Sequence, residues 1–205
     1  NKIYPNSNKF KLIPEVPIKI DKVDFNGTQS LLVENNKNLV EIANVDVLQK
    51  AAAKISNAKI TGLVRFDLAS SLEINDKVDL SSSTLEMSYR DSQGFYDKAP
   101  INGQISSAPS SVVLKDGEEK TPKILAQDKF TIAESSKEFA CGEWKITNQV
   151  TKTAIKEFEY VCAGQETDFS GNQVYRLYAQ EKHKDKKKLS AGAIAGIVIG
   201  CVVVV

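Results

Sequence analysis

The sequence has few of the residues on which most catalytic sites depend. It contains one histidine, three cysteines, one tryptophan and one methionine among its 205 residues. The histidine, His183, lies within a run of lysines, where nothing would orient it as a general base. The motifs of zinc proteases, serine hydrolases, phosphate-binding loops and paired cysteines are all missing. The sequence therefore predicts no catalytic residue, no metal ligand and no cofactor.

The chain also lacks an excess of charge of either sign. It carries 27 Lys and Arg against 26 Asp and Glu, a net charge of +1, so there is no basic field that would attract nucleic acid. Hydrophobic residues make up 41% and charged residues 26%, which is typical of an ordered chain. At this length we expect one large domain or two small ones.

The charge is distributed unevenly along the chain. Residues 181–188 hold five lysines and two acids, and subtracting them leaves residues 1–180 with 22 basic and 24 acidic residues. The near-neutral total is thus the sum of a faintly acidic body and a basic juxtamembrane collar. The collar lysines are Lys182, Lys184, Lys186, Lys187 and Lys188.

An uncharged run follows the collar. Residues 189–205 contain no charge, and after Ser190 they consist of apolar residues and glycine without an amphipathic period. A buried strand or core helix is the simpler alternative, but a core element keeps one polar face and a lipid-exposed helix does not. A spanning helix needs about 20 apolar residues, so we predict a truncated transmembrane helix that anchors the chain in the lipid bilayer. The chain begins without methionine, and we expect it to be a fragment.

Small residues give this predicted helix two further features. Gly192, Gly196 and Gly200 form a row at i, i+4 spacing, which would allow a second helix to approach and form a dimer; alternatively, glycine is simply common in membrane helices. Cys201 lies in the run and is expected to pack as a small hydrophobe.

A glycosylphosphatidylinositol signal at residues 190–192 is a less favoured alternative to the membrane helix, because the polar spacer of about 8–12 residues is missing.

Three features bear on which side of the membrane the body lies. Asn26 begins an Asn-Gly-Thr sequon for N-glycosylation. Cys141 and Cys162 would form a disulfide in an oxidising compartment, whereas reduced buried thiols are the alternative. The lysine collar favours the cytoplasmic side for the segment that it flanks. We expect an extracellular body on a single-pass cell-membrane protein.

A repeat occupies the first part of the chain. The pattern of Ile20–Phe25 recurs at residues 42–47 and, with one extra residue, at 74–80. Short repeats that cannot bury their own apolar faces must stack on one another. Residues 1–90 are therefore predicted to be the end of a parallel β-helix solenoid, with Lys50–Ser56 as a short helix or loop.

Each copy of the repeat holds an aspartate between two apolar residues. Alternation on a strand places the apolar pair inside and the aspartate outside. Asp24, Asp46 and Asp79 would then form one outward column, which could hold a cation or act as an acid pair. The simpler interpretation is a solvated column offset by neighbouring lysines.

The second half has longer alternating runs and turn signals. Residues 91–180 are predicted to form an antiparallel β-sandwich or capping domain. Within it, residues 112–114 and 123–125 look like the strands of a hairpin, and residues 168–172 like a tight turn between the last two strands. The expected fold class is thus all-β: parallel β-helix coils, an antiparallel β-domain and one transmembrane helix.

The C-terminal segment resembles a known group of proteins. The collar and apolar run over residues 186–205 look like the anchor of large surface proteins of parasitic protists. These include BspA-like leucine-rich-repeat proteins and polymorphic-membrane-protein-like β-helix proteins. The resemblance covers about the last 20 residues, and the Val-Asp-apolar repeat is similar to the end of a β-helix stalk. It implies a single-pass surface protein with a role in adhesion or host contact.

Three hypotheses of function follow. The leading one is a non-enzymatic, membrane-anchored surface protein whose body is a membrane-proximal stalk, with an extracellular protein or a glycan as ligand. The second is a β-helix carbohydrate-active enzyme that uses the outward aspartates, by analogy with other β-helix enzymes. The third is an intracellular tail-anchored protein, which free thiols at Cys141 and Cys162 would support.

Overall fold

A computed structural model describes residues 2–3, 8–34, 38–67, 70–89, 99–116, 129–149, 158–168 and 170–181. Within these ranges the chain is all-β apart from one 3-10 helix at Cys141–Glu143. The strands are β1 (Lys2–Ile3), β2 (Lys9–Leu12), β3 (Ile18–Val33), β4 (Val40–Ser56), β5 (Lys59–Ile60), β6 (Leu63–Phe66), β7 (Ser71–Ile74), β8 (Thr84–Tyr89), β9 (Ile101–Gly103), β10 (Ser111–Asp116), β11 (Lys129–Ser135), β12 (Ile146–Gln149), β13 (Phe158–Thr167) and β14 (Gln173–Glu181).

The strands pair in parallel from coil to coil and form three ladders, so the fold is the predicted β-solenoid. The first ladder joins the beginnings of β3 and β4 to β5. The second joins the middle of β3 and β4 to β6, β8, β10 and β12. The third joins the ends of β3 and β4 to β7, β9 and β11. The coils of β3, of β4 and of β5, β6 and β7 each contribute one segment to each ladder.

Inward side chains stack in register along the second ladder. Val23, Val45, Val64, Leu85 and Val112 occupy successive positions and are fully buried. A parallel stack of this depth explains the predominance of β-branched and aliphatic residues, which pack well on a pleated surface that is covered above and below. A second inward stack, two residues further along each strand, consists of Phe25, Val47, Phe66, Met87 and Leu114.

Polar side chains satisfy the backbone where the coils turn. Asn57, at a left-handed φ of 57°, accepts a hydrogen bond at its Oδ1 from the Asn75 Nδ2 over 3.0 Å. Its own amide donates to the Asn75 Oδ1 over 3.2 Å, and its Nδ2 donates to the Val33 carbonyl of the coil before. Asparagine tolerates the left-handed region, so this residue type both makes the turn and bridges three coils.

The structure corrects the predicted boundary at residue 90. The described strands β9, β10 and β12, and the pairing of β11 with β9, are parallel to the strands of the preceding coils, so the solenoid continues well into the second half. Among the strands that the structure describes, antiparallel pairing is confined to β14, which pairs with β11 on one side and β13 on the other. The reason is that alternation predicts a strand with one covered face but carries no information on the direction of its neighbour.

Three local predictions have different outcomes. The segment Lys50–Ser56, expected as a helix or loop, is the second half of β4. Gln49 and Lys50 adopt left-handed φ values of 59°, which turn the strand at the corner. The turn predicted at residues 168–172 does connect β13 with β14, through a hydrogen bond from the Gly171 amide to the Asp168 carbonyl over 3.0 Å. The strand predicted at residues 123–125 lies outside the described residues, whereas residues 112–114 pair in parallel on both sides.

Gly103 provides a test of the stacking. Its φ of 113° lies in the region that favours glycine, and a Cβ there would collide with the Ile74 carbonyl of the previous coil. Gly103→Ala should therefore lower the free energy of unfolding by at least about 2 kcal/mol, measured by urea titration. Gly142→Ala is the matched control, because a Cβ at Gly142 has nothing within 4 Å. Equal midpoints for the two variants would contradict this packing.

Candidate functional site

The three predicted aspartates do not form a single column. Asp24 and Asp46 lie in register on neighbouring coils of the second ladder, as expected. Asp79 does not join them, because it bridges to Lys59 in the first ladder. The place above Asp46 is taken by Arg65. The third repeat copy therefore corresponds to a different side of the coil, and the predicted single column of three aspartates is wrong.

A compact network of charges surrounds the two aligned aspartates. The Lys22 Nζ lies 2.8 Å from the Asp24 Oδ1 and 2.8 Å from the Asp46 Oδ2. The Arg65 Nε lies 3.5 Å from the Asp46 Oδ1. The Asp46 side chain is only 6% exposed, so most of its charge must be compensated by these two cations. We call Lys22, Asp24, Asp46 and Arg65 the charged network.

The charged network is neutral in sum and is held mainly by Lys22. Hydrogen bonds to Asp24 and then to Asp46 raise the pKa of Lys22, against a smaller opposing effect of desolvation. The Asp46 Oδ1 has no hydrogen-bond partner among the described residues, so Arg65 meets it as an ion pair without an aligned hydrogen bond. One ammonium thus bridges the two carboxylates of neighbouring coils.

Asp79 has a local structural role. Its Oδ1 accepts a hydrogen bond from the Ser81 amide over 2.9 Å. Hydrogen bonding from Ser81 lowers the pKa of Asp79, and Lys59 adds a weaker effect of the same sign. Lys59 also lies in register with Glu41, which pairs with Lys19 over 3.2 Å. Outward charges of the first ladder thus alternate in sign from coil to coil.

The two body cysteines are brought together. Cys141 lies in the 3-10 helix and is buried, Cys162 lies on β13, and their Cα atoms are 5.7 Å apart in a disulfide. Trp144 is also buried beside this helix and contacts Phe139 edge to face, with ring centroids 5.7 Å apart. The disulfide therefore joins the solenoid to the antiparallel hairpin of β13 and β14.

A second clamp on the hairpin was missed by sequence reasoning. The Arg176 Nε on β14 donates to the Glu134 Oε2 on β11 over 2.8 Å, and its Nη1 donates to the Glu166 Oε2 on β13 over 3.1 Å. Tyr178 donates to the same Glu166 oxygen. Although burial lowers it, the pKa of Arg176 is raised by the hydrogen bond that Arg176 donates to Glu134, so the guanidinium stays charged between three strands. These contacts of Arg176 could have been predicted from the sequence only if the pairing of β11 with β14 had been predicted first.

The predicted glycosylation residue is accessible. Asn26 is exposed on β3, directly before Gly27, whose φ of 105° marks a corner of the coil. The pairing of β3 with β4 is irregular there, since it passes from Asn26 to Thr28 with no partner for Gly27. The sequon thus lies at an irregular, exposed corner of the coil.

The membrane-anchor and collar residues lie outside the described residues. These are Lys182, Lys184, Lys186, Lys187, Lys188, Gly192, Gly196, Gly200 and Cys201. In the part of the chain that the structure describes, no helix has the length and apolarity needed to cross a bilayer. Across the same residues, no group of three or more ligating side chains is placed to hold a metal ion.

The charged network can be tested at Lys22. Lys22→Met leaves two adjacent carboxylates without their shared cation, and we expect a loss of about 1–3 kcal/mol in the free energy of unfolding at neutral pH. Lowering the pH should recover part of this loss, because protonation removes the repulsion. Lys19→Met is the control: its side chain is 83% exposed, so its pair should contribute less than about 1 kcal/mol. An equal loss in both variants would contradict the special role of Lys22.

The wild-type chain should lose the same stabilisation at high pH. The pKa of Lys22 is raised above its model-compound value of 10.5, so the stabilisation is fully present below 10.5 and disappears as pH rises through the folded-state pKa. The difference in urea midpoint between wild type and Lys22→Met should therefore be constant through neutral pH and shrink only in the strongly alkaline range. A difference that disappears before pH 10.5 would show that another group is responsible.

The disulfide should contribute through the loop that it closes. Its cysteines are 21 residues apart, a loop for which chain entropy predicts a stabilisation of about 3 kcal/mol. The double variant Cys141→Ser with Cys162→Ser should lose about this amount in urea unfolding, and reduction of the wild type should have the same effect. Cys201→Ser is the control and should change nothing. An unchanged midpoint in the double variant would exclude the bond.

Comparison of the chain with protein-family models, with curated proteins and with solved structures gives no match.

Proposed function

We propose that the chain is a single-pass, membrane-anchored cell-surface protein whose β-solenoid is a non-enzymatic, membrane-proximal stalk. The observation that carries the proposal is the order of the last segments: a lysine cluster at residues 181–188, then residues 189–205 without a charge. Flanking lysines and a continuous apolar run are the two signals of a membrane helix. The lipid bilayer is therefore the first partner.

Several features support an extracellular body. The pairing of Cys141 with Cys162 is the kind of bond that persists in oxidising compartments. The sequon at Asn26 lies on an exposed corner, where a transferase would have access. The lysine collar favours the cytoplasmic side for its own segment. We give more weight to the disulfide, because it depends on residues that the fold brings together.

A stalk is consistent with the way the coils are held. Each coil contacts its neighbours through parallel ladders and compensated charges. A stack of repeats of this kind is extended along one direction. It could therefore act as a stalk that holds a more distal part of the protein away from the membrane. The resemblance of residues 186–205 to anchors of protist surface proteins favours adhesion or host contact. An extracellular protein or a glycan would then be the ligand, and the row of Gly192, Gly196 and Gly200 would favour a helix-mediated dimer.

Membrane anchoring can be tested by extraction. Membranes from cells that express the protein are washed with alkaline carbonate, and we expect the chain to remain in the pellet and to be released by detergent. The variant Ile197→Lys with Ile199→Lys should be released, because each lysine costs about 3 kcal/mol near the centre of a membrane helix. Lys184→Ala with Lys186→Ala serves as the control and should stay in the pellet. Release of the wild type by carbonate would overturn the anchor.

Orientation needs a separate measurement. Intact cells are treated with a membrane-impermeant amine reagent, and the unreduced protein is then alkylated in denaturant to count free thiols. We expect surface labelling and protection of both Cys141 and Cys162. Labelling only after permeabilisation, together with free thiols at both Cys141 and Cys162, would instead support the tail-anchored intracellular hypothesis.

A further inference from the structure

The chain contains two Asn-Gly dipeptides, Asn26-Gly27 and Asn102-Gly103. Asparagine before glycine is the pair most prone to spontaneous deamidation, since glycine has no side chain to shield its own amide nitrogen or to restrict the backbone rotation that the reaction needs. The fold places the two pairs in opposite environments. The comparison between them therefore isolates the effect of structure on one reaction.

At the first pair, the structure leaves the reacting groups accessible. Asn26 is exposed, and no described residue bonds to its carboxamide, although its backbone amide donates to the Gln29 Oε1 over 2.9 Å. Gly27 has a φ of 105° and no register partner in β4. A Cβ built on Gly27 would have nothing within 4 Å. The peptide between the two residues thus lies at an irregular, open corner.

At the second pair, the same groups are held. Asn102 is 8% exposed, and its Nδ2 donates to the Ala99 carbonyl over 3.1 Å. Gly103 lies between Ile74 and Ser135 in the third ladder, and it packs directly against the Ile74 carbonyl. Rotation of the Asn102 carboxamide and backbone toward each other would break this packing. Reaction here requires local opening of the solenoid.

We propose that Asn26 is a site of selective, backbone-assisted deamidation in the folded protein. The Gly27 nitrogen attacks the Asn26 Cγ, so that a C–N bond forms to give a succinimide. The carboxamide nitrogen leaves as ammonia and takes up the proton lost by the Gly27 amide. Water then hydrolyses either of the two ring C–N bonds, which yields aspartate or isoaspartate. Water is the only co-reactant, and no metal or enzyme takes part.

The product would change the corner in two ways. The carboxylate would be on the same strand face as Asp24, two residues away, and would add a negative charge beside the charged network, in which Lys22 already serves two carboxylates. It would also remove the nitrogen to which an N-linked glycan attaches. Deamidation and glycosylation at Asn26 therefore exclude each other. The deamidation proposal itself does not depend on the proposed surface location.

The two dipeptides allow an internally controlled experiment. The purified full chain, folded and free of glycan, is incubated in warm, mildly alkaline buffer, and tryptic peptides are followed for a gain of about one dalton, the replacement of an amide by an acid. We expect reaction at Asn26 to be at least about tenfold faster than at Asn102, the factor that an opening free energy of about 1.4 kcal/mol imposes. An isoaspartyl methyltransferase assay should label the Asn26 peptide.

Three controls distinguish the effects of the fold, of the glycosylation sequon and of the asparagine side chain on the deamidation rate. In denaturant, the two sites should react at similar rates. Thr28→Ala removes the sequon but keeps Asn26-Gly27, and should deamidate like the wild type; Asn26→Gln should stay unmodified. A deamidation rate at Asn26 that is equal to or lower than the rate at Asn102 in the folded chain would overturn the proposal. Because the sample carries no glycan, a failed anchoring or orientation test leaves this result unaffected.

Discussion

The in-register stacking of inward aliphatic side chains is the constraint on which the rest of this structure depends. A single coil cannot bury its own apolar face, so Val23, Val45 and Val64 are desolvated only because each lies directly above the next. A slip of one residue would turn every inward side chain outward. The register therefore determines which polar residues meet on the surface, and the charged network is a consequence of it.

The outward-facing charged side chains show how the structure accommodates the in-register stacking of neighbouring coils. Stacking at the spacing of neighbouring strands, about 4.8 Å, would place like charges close together, and at Asp24 and Asp46 it does. Lys22, two residues before Asp24 on the same face of β3, supplies a cation to both. Further along, Glu86 pairs with Lys115 over 2.6 Å. The same stacking that could destabilise a solenoid thus becomes stabilising where the signs alternate between coils.

The repeat predicted the solenoid because its inward positions recur, and it failed where the coils change length. From β3 to β4 the aligned positions up to Asn26 are 22 residues apart, so Asp24 and Asp46 could be matched by eye. The next coil is shorter, and Arg65 takes the equivalent place while Asp79 falls on another ladder. Likewise, the alanines after Lys50 favour a helix locally, but burial of Ala51 and Ala53 in the stack overrides that preference.

The end of the stack was the hardest part to predict, because its contacts join residues that are far apart in sequence and carry no periodic signal. Arg176 reaches Glu134 across 42 residues, and the only local sign of the hairpin is its turn. Yet the physical need is general: parallel coils end in an edge whose backbone groups lack partners. Here the chain reverses direction, so that β14 covers β11 in antiparallel pairing. The Cys141–Cys162 bond and the Arg176 clamp then hold one hairpin at two points, one covalent and one electrostatic.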